Sequence, residues 1–235
     1  MESFSQFGED GLVWRHFGRK RDGFFVEIGA NDPCKFSQTW LLEQNGWTGI
    51  LVEPLPGPCE RLRAERKNSR VFQVAVGAPE QKGRKEIHVP ADDMYAALNS
   101  KPQDKAILNT LTVSVTTLDD VLAEAGNPAV DYLSIDVEGM ELDVLRGFDL
   151  SRHHPALILV EDHLRSLAVY LFLARRGYQL AKRTGCNNWF VVAGTRFELT
   201  GALERLQLWK RLWIHTPLGI VRKKLRNLRK RIMRG

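Results

Sequence analysis

Five short apolar segments, bounded by Gly, Pro, Asn or Asp, constrain the fold of this chain more than any other feature. They span residues 24–28, 49–53, 71–76, 132–136 and 157–161. Apolar runs of this length without polar alternation predict strands that are buried on both faces. Stretches with helical spacing precede or follow them, at residues 38–45, 60–67, 117–125, 141–146 and 166–176. This alternation predicts βαβ units and a doubly wound, mostly parallel α/β sheet.

The pattern changes after the fifth segment. Two strand-like runs, at residues 178–183 and 189–192, flank the turn-rich sequence TGCNN and predict an antiparallel hairpin. A parallel sheet that ends in an antiparallel hairpin is typical of class I methyltransferases. A dinucleotide dehydrogenase would instead continue with a second mononucleotide-binding half. We therefore predict a seven-stranded, Rossmann-like sheet of the class I methyltransferase type.

Residues 80–112 are less regular than the rest of this region. Their position between the third and fourth predicted strands makes them a candidate substrate or cofactor loop. The alternative is a helix and a short extra strand with no special role.

Residues at the carboxyl ends of the predicted strands carry the signal for a cofactor, because ligands of doubly wound sheets bind there. The first strand runs into Glu27, Gly29 and Asn31. Gly29 lets the backbone turn and approach a ligand, and Glu27 could bind an ammonium group or fix the amides of the loop. The second strand ends at Glu53 and Pro54, where a carboxylate could accept hydrogen bonds from both ribose hydroxyls.

The first loop lacks the glycine pattern of dinucleotide-binding proteins. After Gly29 the next glycine is Gly46, and the loop carries the acids Glu27 and Asp32. A pyrophosphate needs bare backbone amides and is repelled by carboxylates. The loop therefore favours S-adenosylmethionine, a cationic nucleoside without phosphate, over NAD, and disfavours an NAD-dependent oxidoreductase.

The fourth and fifth predicted strands end in acidic residues. Asp136 and Glu138 follow the fourth strand, and Glu161, Asp162 and His163 follow the fifth. These strand ends are neighbours in such a sheet, so the side chains should converge at one rim of the crevice. Converging carboxylates are costly unless a proton or a cation joins them.

Two chemistries fit the acidic rim. Asp136, Glu138 and His163 are candidate catalytic residues, with His163 or a carboxylate as the general base that deprotonates an acceptor hydroxyl. Alternatively, Asp136, Glu161 and Asp162 could hold Mg²⁺ or another hard divalent cation. His163 could also simply cap the helix that follows it.

The net charge of +6 comes from the end of the chain. From Lys210 onward there are ten Lys or Arg and no acid, whereas the first 209 residues carry 24 basic and 28 acidic groups. We therefore divide the chain into a methyltransferase domain at 1–198 and a basic amphipathic helical extension at 199–235. The extension should break at Pro217.

The apolar positions of 203–235, which include Trp, recur at helical spacing among Lys and Arg. This pattern is typical of an interfacial helix and predicts an anionic membrane surface as partner. Nucleic acid is disfavoured, because the chain carries no base-reading module. The helix could instead pack on its own domain or on a partner subunit of a homo-oligomer.

The three cysteines, Cys34, Cys59 and Cys186, are odd in number and widely spaced, so we expect free thiols in a reducing compartment. Neither a signal peptide nor a long apolar span is present in the sequence. These features predict a cytoplasmic protein, associated at its periphery with the inner face of the membrane if the extension binds lipid.

Several longer motifs occur in the order and spacing of a known family. They are SQFGEDG at 5–11, GFFVEIGAND at 23–32, SQTWLLEQNGWTGILVEP at 37–54, VTTLDDVL at 115–122, YLSIDVEGMELDVLRGFDL at 132–150, ILVED at 158–162, and GYQL with NNWFVV within 177–192. Over roughly residues 3–193 the chain resembles the FkbM-type methyltransferases, which methylate hydroxyl oxygens of natural products and saccharides.

This resemblance implies an S-adenosylmethionine-dependent O-methyltransferase that acts on a saccharide, a glycolipid or a natural product. It also implies cofactor contacts from the first loop, the second strand end, the N-terminal segment and the adenine side. These residues are Glu27, Gly29, Ala30, Asn31, Glu53, Pro54, Gln6, Glu9, Asp10 and Ala75. The alternative is an inactive nucleoside-binding scaffold that its basic tail recruits to a membrane or a partner.

Overall fold

A computed structural model describes residues 3–90, 107–164 and 166–232. The strands are β1 Phe24–Ile28, β2 Thr48–Val52, β3 Ser69–Phe72, β4 Ala75–Val76, β5 Gly83–Pro90, β6 Ile107–Thr116, β7 Tyr132–Ile135, β8 Leu157–Glu161, β9 Tyr178–Thr184 and β10 Asn187–Val192. The helices are α1 Glu9–His16, α2 Trp40–Gln44, α3 Pro56–Glu65, α4 Leu118–Glu124, α5 Glu141–Arg146, α6 Leu150–His153, α7 Ala168–Ala174, α8 Ala202–Lys210 and α9 Thr216–Ile232.

The main sheet has seven strands in the order β3-β2-β1-β7-β8-β10-β9. The first five are parallel, and β10 is antiparallel to both β8 and β9. This arrangement confirms the predicted class I methyltransferase fold with its terminal hairpin. The order reverses between β1 and β7, so the crevice that binds ligands in such sheets lies at the carboxyl ends of these two strands.

The central strands are buried on both faces because helices cover both sides of the sheet. Alternate residues of each strand enter different cores. One core contains Val26, Ile50, Leu133 and Ile158. The other contains Phe25, Leu51, Tyr132, Leu159 and Trp189. This double burial explains why the strands read as continuous apolar runs in the sequence.

The region around 71–116 differs from the prediction. The third predicted strand is divided into β3, in the main sheet, and β4, which joins a second sheet of order β4-β6-β5. Strands β5 and β6 pair antiparallel, so the described part of the predicted loop at 80–112 is largely β-structure. Residues 91–106 of this predicted loop lie outside the described residues. Helix α1 was not predicted from the sequence.

The C-terminal extension is helical without the predicted break at Pro217. Helix α8 continues through a π-helical turn, Arg211–His215, directly into α9. Proline lacks the N–H that an α-helix needs, and the π turn immediately before Pro217 accommodates it. Within the described ranges, we find no helix that combines the length and the apolar character needed to cross a membrane.

Candidate active site

A cleft of about 940 Å³ lies at the carboxyl ends of β1, β7 and β8. Nine of the residues predicted for the site line it. They are Gln6, Glu27, Gly29, Ala30, Asn31, Asp136, Glu138, Glu161 and His163. The cofactor loop and the acidic rim, which are separated by about a hundred residues of sequence, therefore share one cavity.

The loop after β1 passes very close to the backbone after β7. Gly29 has φ +85°, and a Cβ atom at this position would lie 1.8 Å from the carbonyl oxygen of Asp136. The amides of Gly29 and Ala30 both donate to the carbonyl of Val52 in β2, at 2.9 and 3.2 Å. Only glycine satisfies both the positive φ and this close approach to Asp136. The predicted approach of Gly29 to a ligand stays a prediction.

The carboxylate of Glu27 holds the segment that follows the loop. It accepts hydrogen bonds from the amide of Gln38 at 2.9 Å and from the hydroxyls of Ser37 and Thr39. The guanidinium of Arg66 lies 3.9 Å away. Burial raises the pKa of Glu27, and the positive charge of Arg66 opposes this rise. Of the two roles predicted for Glu27, these hydrogen bonds correspond to the one in which its carboxylate holds groups of the loop.

Glu53 fixes the same loop from the other side. Its carboxylate accepts from the amide of Asn31 at 3.1 Å and from the amide of Leu55 at 2.8 Å. Glu53 and Pro54 lie behind the loop and do not line the cleft. Ala75 lies in β4 and packs with Ile87 in a separate small core. These three residues are not among the residues that line the cleft, and their predicted contacts with the cofactor stay a prediction.

The N-terminal segment folds over the cleft, with Gln6 and Phe7 in its lining. Glu9 and Asp10 are fully buried beneath it. Glu9 accepts from Thr184 and from Asn187 of the terminal hairpin, each at 2.8 Å. The carboxylate of Asp10 accepts hydrogen bonds from its own segment, among them one from the amide of Phe4 at 2.8 Å. Both acids therefore position the segment, and Gln6 is the predicted residue that reaches the cavity.

The acidic rim is a compact cluster. Carboxylate oxygens of Asp136, Glu138 and Glu161 all lie within 4.8 Å of one another. Asp136 opens into the cleft, yet protein atoms crowd it on most sides. This crowding, the hydrogen bond with Glu161 and the charges of Glu161 and Glu138 raise the pKa of Asp136 well above its usual value. Asp136 and Glu161 therefore titrate as a pair that favours one shared proton.

Asp162 does not join this cluster, so the predicted ligand set needs correction. Its carboxylate accepts from the amide of Leu164 at 2.8 Å, and its carbonyl accepts from Arg183 at 2.8 Å. Glu138, which has φ +53°, takes its place beside Asp136 and Glu161. Successive side chains at a strand end point in different directions, which is why Glu161 and Asp162 separate. The imidazole Nε2 of His163 lies 3.8 Å from Glu161.

Four basic side chains also line the cleft, and the sequence analysis did not select them. They are Lys35, Arg61, Arg183 and Arg211. They come from four distant parts of the chain, and Arg211 belongs to the C-terminal extension. No local pattern could have indicated them, because only the fold brings them to one cavity.

Residues 27–180 match the family model described as the methyltransferase FkbM domain. This chain belongs to the FkbM methyltransferase family. Membership supports an S-adenosylmethionine-dependent methyltransferase, in agreement with the seven-stranded sheet and the position of the cleft. No curated protein of similar sequence was found.

Solved structures of three other methyltransferases are similar to parts of this chain. The FkbM methyltransferase of Methylobacillus flagellatus KT is 18% identical, over 73% of this chain and 44% of that protein, with a TM-score of 0.48. A methyltransferase from Geobacter sulfurreducens is 11% identical over 78% of both chains, with a TM-score of 0.41. The precorrin-6y C5,15-methyltransferase of Geobacter metallireducens GS-15 is 14% identical over 83% of this chain and 92% of that one, with a TM-score of 0.41. The FkbM chain described here spans less than half the length of the Methylobacillus protein.

The cleft of this FkbM chain fits the methyl donor that its family implies. The side-chain Oε1 of Gln38, a residue that lines the cleft, is buried and has no hydrogen-bond partner among the described residues. An ammonium group would satisfy this acceptor. The carboxylates of the same cleft favour a cation.

Proposed function

We propose that this FkbM protein transfers the methyl group of S-adenosylmethionine to a hydroxyl oxygen of a saccharide, a glycolipid or another natural product. In such a transfer the hydroxyl oxygen forms a bond to the methyl carbon, the carbon–sulfur bond breaks, and the hydroxyl proton leaves. The observation that carries the proposal is the carboxylate cluster of Asp136, Glu138 and Glu161, which lies in the same cleft as the Gly29 loop.

The carboxylate cluster supplies an acceptor for the hydroxyl proton. Glu161 has a lowered pKa, because hydrogen bonds from Asp136 and Cys186 and the nearby His163 outweigh its burial. An ionised Glu161 beside a protonated Asp136 can accept a proton, and His163, whose side chain is largely exposed to solvent, can pass it to water. In this proposal Glu161 accepts the proton, and Asp136, Glu138 and His163 are the other catalytic residues.

As the alternative to this proton transfer, we propose that the three carboxylates are ionised and hold a divalent cation. Three carboxylates with oxygens within 4.8 Å of one another offer the hard ligands that Mg²⁺ prefers. Bound to the acceptor hydroxyl, such a cation would lower the pKa of that hydroxyl and stabilise the three negative charges. The ligands are then Asp136, Glu138 and Glu161, without Asp162.

Methyl transfer can be tested with S-adenosylmethionine that carries a radioactive methyl group and a panel of hydroxylated sugars, glycolipids and small metabolites. We expect a labelled, base-stable ether product. Asp136→Asn and Glu161→Gln should reduce turnover by about a hundredfold or more, whereas the exposed Glu198→Gln should not change it. Binding of S-adenosylhomocysteine without turnover on any acceptor would favour the inactive scaffold.

The cation can be tested separately, by titrating Mg²⁺ and Mn²⁺ into the chelator-treated protein in a calorimeter. We expect one cation per chain and loss of binding in Glu138→Gln. Asp162→Asn, one residue from Glu161, is the matched control and should retain binding. Equal binding by the parent protein and Glu138→Gln would rule out the cluster as the site.

We further propose that residues 199–235 form an extension that binds an anionic membrane, so that the protein associates with the cytoplasmic face of a lipid bilayer. Apolar side chains along α8, the π turn and α9 face solvent, including Trp209 and Trp213, which are 53% and 55% exposed. Glu204 is the last acidic residue of the chain, and eleven Lys or Arg residues follow it. Exposed Trp and Leu with a basic face match the interfacial layer of anionic lipid.

Co-sedimentation with vesicles tests this association. The full chain should pellet with vesicles that contain phosphatidylglycerol and remain in solution with pure phosphatidylcholine. Replacing Trp209 and Trp213 by Ser should reduce pelleting. Replacing Thr216, a buried residue of the same extension, by Ser should not. Equal pelleting of the double Trp variant and the parent chain would contradict the proposal.

A further inference from the structure

Two arginines line the same cleft as the acidic cluster. Arg183, in β9, and Arg211, in the π turn of the extension, both line the main cleft. The same two side chains also line an adjoining groove that Lys210 and His215 border. The extension therefore contributes a charged side chain to the proposed active site.

Arg183 is held in place but retains free donor capacity. Its Nη1 donates to the carbonyl of Asp162 at 2.8 Å and to the side-chain oxygen of Asn188 at 2.5 Å. Its Nε is buried and has no hydrogen-bond partner in the described part of the chain. A buried guanidinium N–H without a partner is costly, and an oxyanion in the cleft would satisfy it.

Arg211 faces Arg183 without a counter-charge of its own. Its side chain makes no ion pair or hydrogen bond with the residues that the structure describes. The nearest acid of the extension, Glu204, is occupied by Lys182 at 2.8 Å. Burial, and after it the positive charge of Arg211, lowers the pKa of Arg183, which indicates that the two guanidinium groups are close enough to repel each other.

We propose that Arg183 and Arg211 form a subsite for a phosphate group carried by the methyl acceptor. The inference rests on the proposed methyl transfer and narrows its acceptor to phosphorylated sugars or glycolipids. Two guanidinium groups from different elements can each donate to a different pair of oxygens of a phosphate, whereas a carboxylate offers only two oxygens in all. The phosphate would lie between these two guanidinium groups, with the acceptor hydroxyl directed towards Asp136 and Glu161.

Calorimetric titration with glucose 1-phosphate, with glucose as the uncharged control, tests the subsite. Only the phosphorylated sugar should bind. Arg211→Gln should weaken its binding about tenfold or more, because it removes a charged hydrogen-bond donor. Arg222→Gln removes the same charge from the same extension but outside the cleft, and should bind as the parent chain does. Arg211 is exposed, so its replacement should not disturb folding.

Other results would overturn the assignment. Equal losses in Arg211→Gln and Arg222→Gln would indicate general attraction to a basic tail. If Arg61→Gln and not Arg211→Gln weakens binding of glucose 1-phosphate, the phosphate binds beside Arg61 and the assignment is wrong. If Arg211→Gln reduces pelleting with phosphatidylglycerol vesicles but not binding of glucose 1-phosphate, its partner is a lipid headgroup and the subsite does not exist.

S-Adenosylhomocysteine binding separates this inference from the proposed function. Arg211→Gln and Arg222→Gln should bind S-adenosylhomocysteine like the parent chain. Failure of the parent chain to bind S-adenosylhomocysteine would contradict methyl transfer. The titrations with glucose 1-phosphate would still test whether the phosphate subsite exists. Weaker S-adenosylhomocysteine binding in Arg211→Gln would instead assign the pair to the carboxylate of the cofactor and overturn the inference.

Discussion

Gly29 lies directly against the backbone of Asp136, so closely that a Cβ atom on Gly29 would be 1.8 Å from the carbonyl oxygen of Asp136. The amide of Asp136 in turn donates to the carbonyl of Ile28 at 3.0 Å. The proposed cofactor loop and the acidic rim thus share one rigid backbone contact. A change at Gly29 must therefore disturb both halves of the site.

We expect Gly29→Ala to abolish S-adenosylhomocysteine binding and to destabilise the protein by more than the about 1–2 kcal/mol of a left-handed alanine, because the methyl group also clashes with Asp136. Calorimetry and urea unfolding measure the two effects. Gly194→Ala is the matched control, since Gly194 has φ +88° with no atom near its Cβ position. It should cost only the backbone strain and leave binding intact, and equal effects of the two changes would contradict the contact.

Glu9 connects the N-terminal segment to the terminal hairpin by hydrogen bonds, and we expect these bonds to contribute to the free energy of unfolding. Glu9→Gln replaces one acceptor oxygen by an amide among donors that include Thr184 and Asn187, so we expect a loss of about 1–3 kcal/mol in the free energy of unfolding. S-Adenosylhomocysteine binding should weaken as well, because Gln6 and Phe7 line the cleft. Urea unfolding and calorimetry provide the measurements, with the exposed Glu198→Gln as control. Unchanged stability would show that Glu9 is not an anchor.

The strands and loops that could be predicted are those that a short continuous stretch of sequence determines. β1, β7 and β8 are buried on both faces and so appear as apolar runs, and the Gly29 loop follows β1 directly. The pair of strands β5 and β6 was not predicted, because neither strand forms a continuous apolar run in the sequence. Its strands alternate apolar and polar residues around Ile87 and Val113.

The part of the site that could be predicted consists of residues that directly follow neighbouring strands. Asp136 and Glu161 could be placed together because their strands are neighbours. The exchange of Asp162 for Glu138 depends on the left-handed backbone at Glu138, which no residue pattern indicates for a glutamate. Arg211 enters the cleft only because the extension packs beside β9, a contact between distant parts of the chain.

Arg66 is fully buried and neutralises two buried acids, which makes it the ion pair whose loss should matter most. Its Nε lies 2.7 Å from Glu43, and its Nη1 lies 3.9 Å from Glu27. We expect Arg66→Met to cost about 3–5 kcal/mol, because it leaves uncompensated charge in the core. Arg70 pairs with Glu124 at the surface, and Arg70→Met should cost only about 0–1 kcal/mol. Urea unfolding of both variants checks the contrast, and similar losses would contradict it.

His153 should make the stability of the protein depend on pH. Its side chain is 3% exposed and stacks on Phe148 with the ring centres 5.3 Å apart. Burial lowers the pKa of His153 below 6.5, and Asp119, 3.7 Å from its Nε2, opposes this only in part. As the pH falls through about 6.5, the unfolded chain takes up a proton that the folded chain resists, so the free energy of unfolding decreases.

Replacement of His153 by Phe keeps an aromatic ring against Phe148 but removes the titrating group. Urea unfolding at about pH 7.5 and about pH 5.5 should give a smaller loss of stability in His153→Phe than in the parent chain. Phe148→Leu serves as the control, because it removes the stacking partner and retains the imidazole. It should lower the free energy of unfolding at both pH values and preserve most of the difference between them. The same pH difference in His153→Phe and the parent chain would show that the proton is taken up elsewhere.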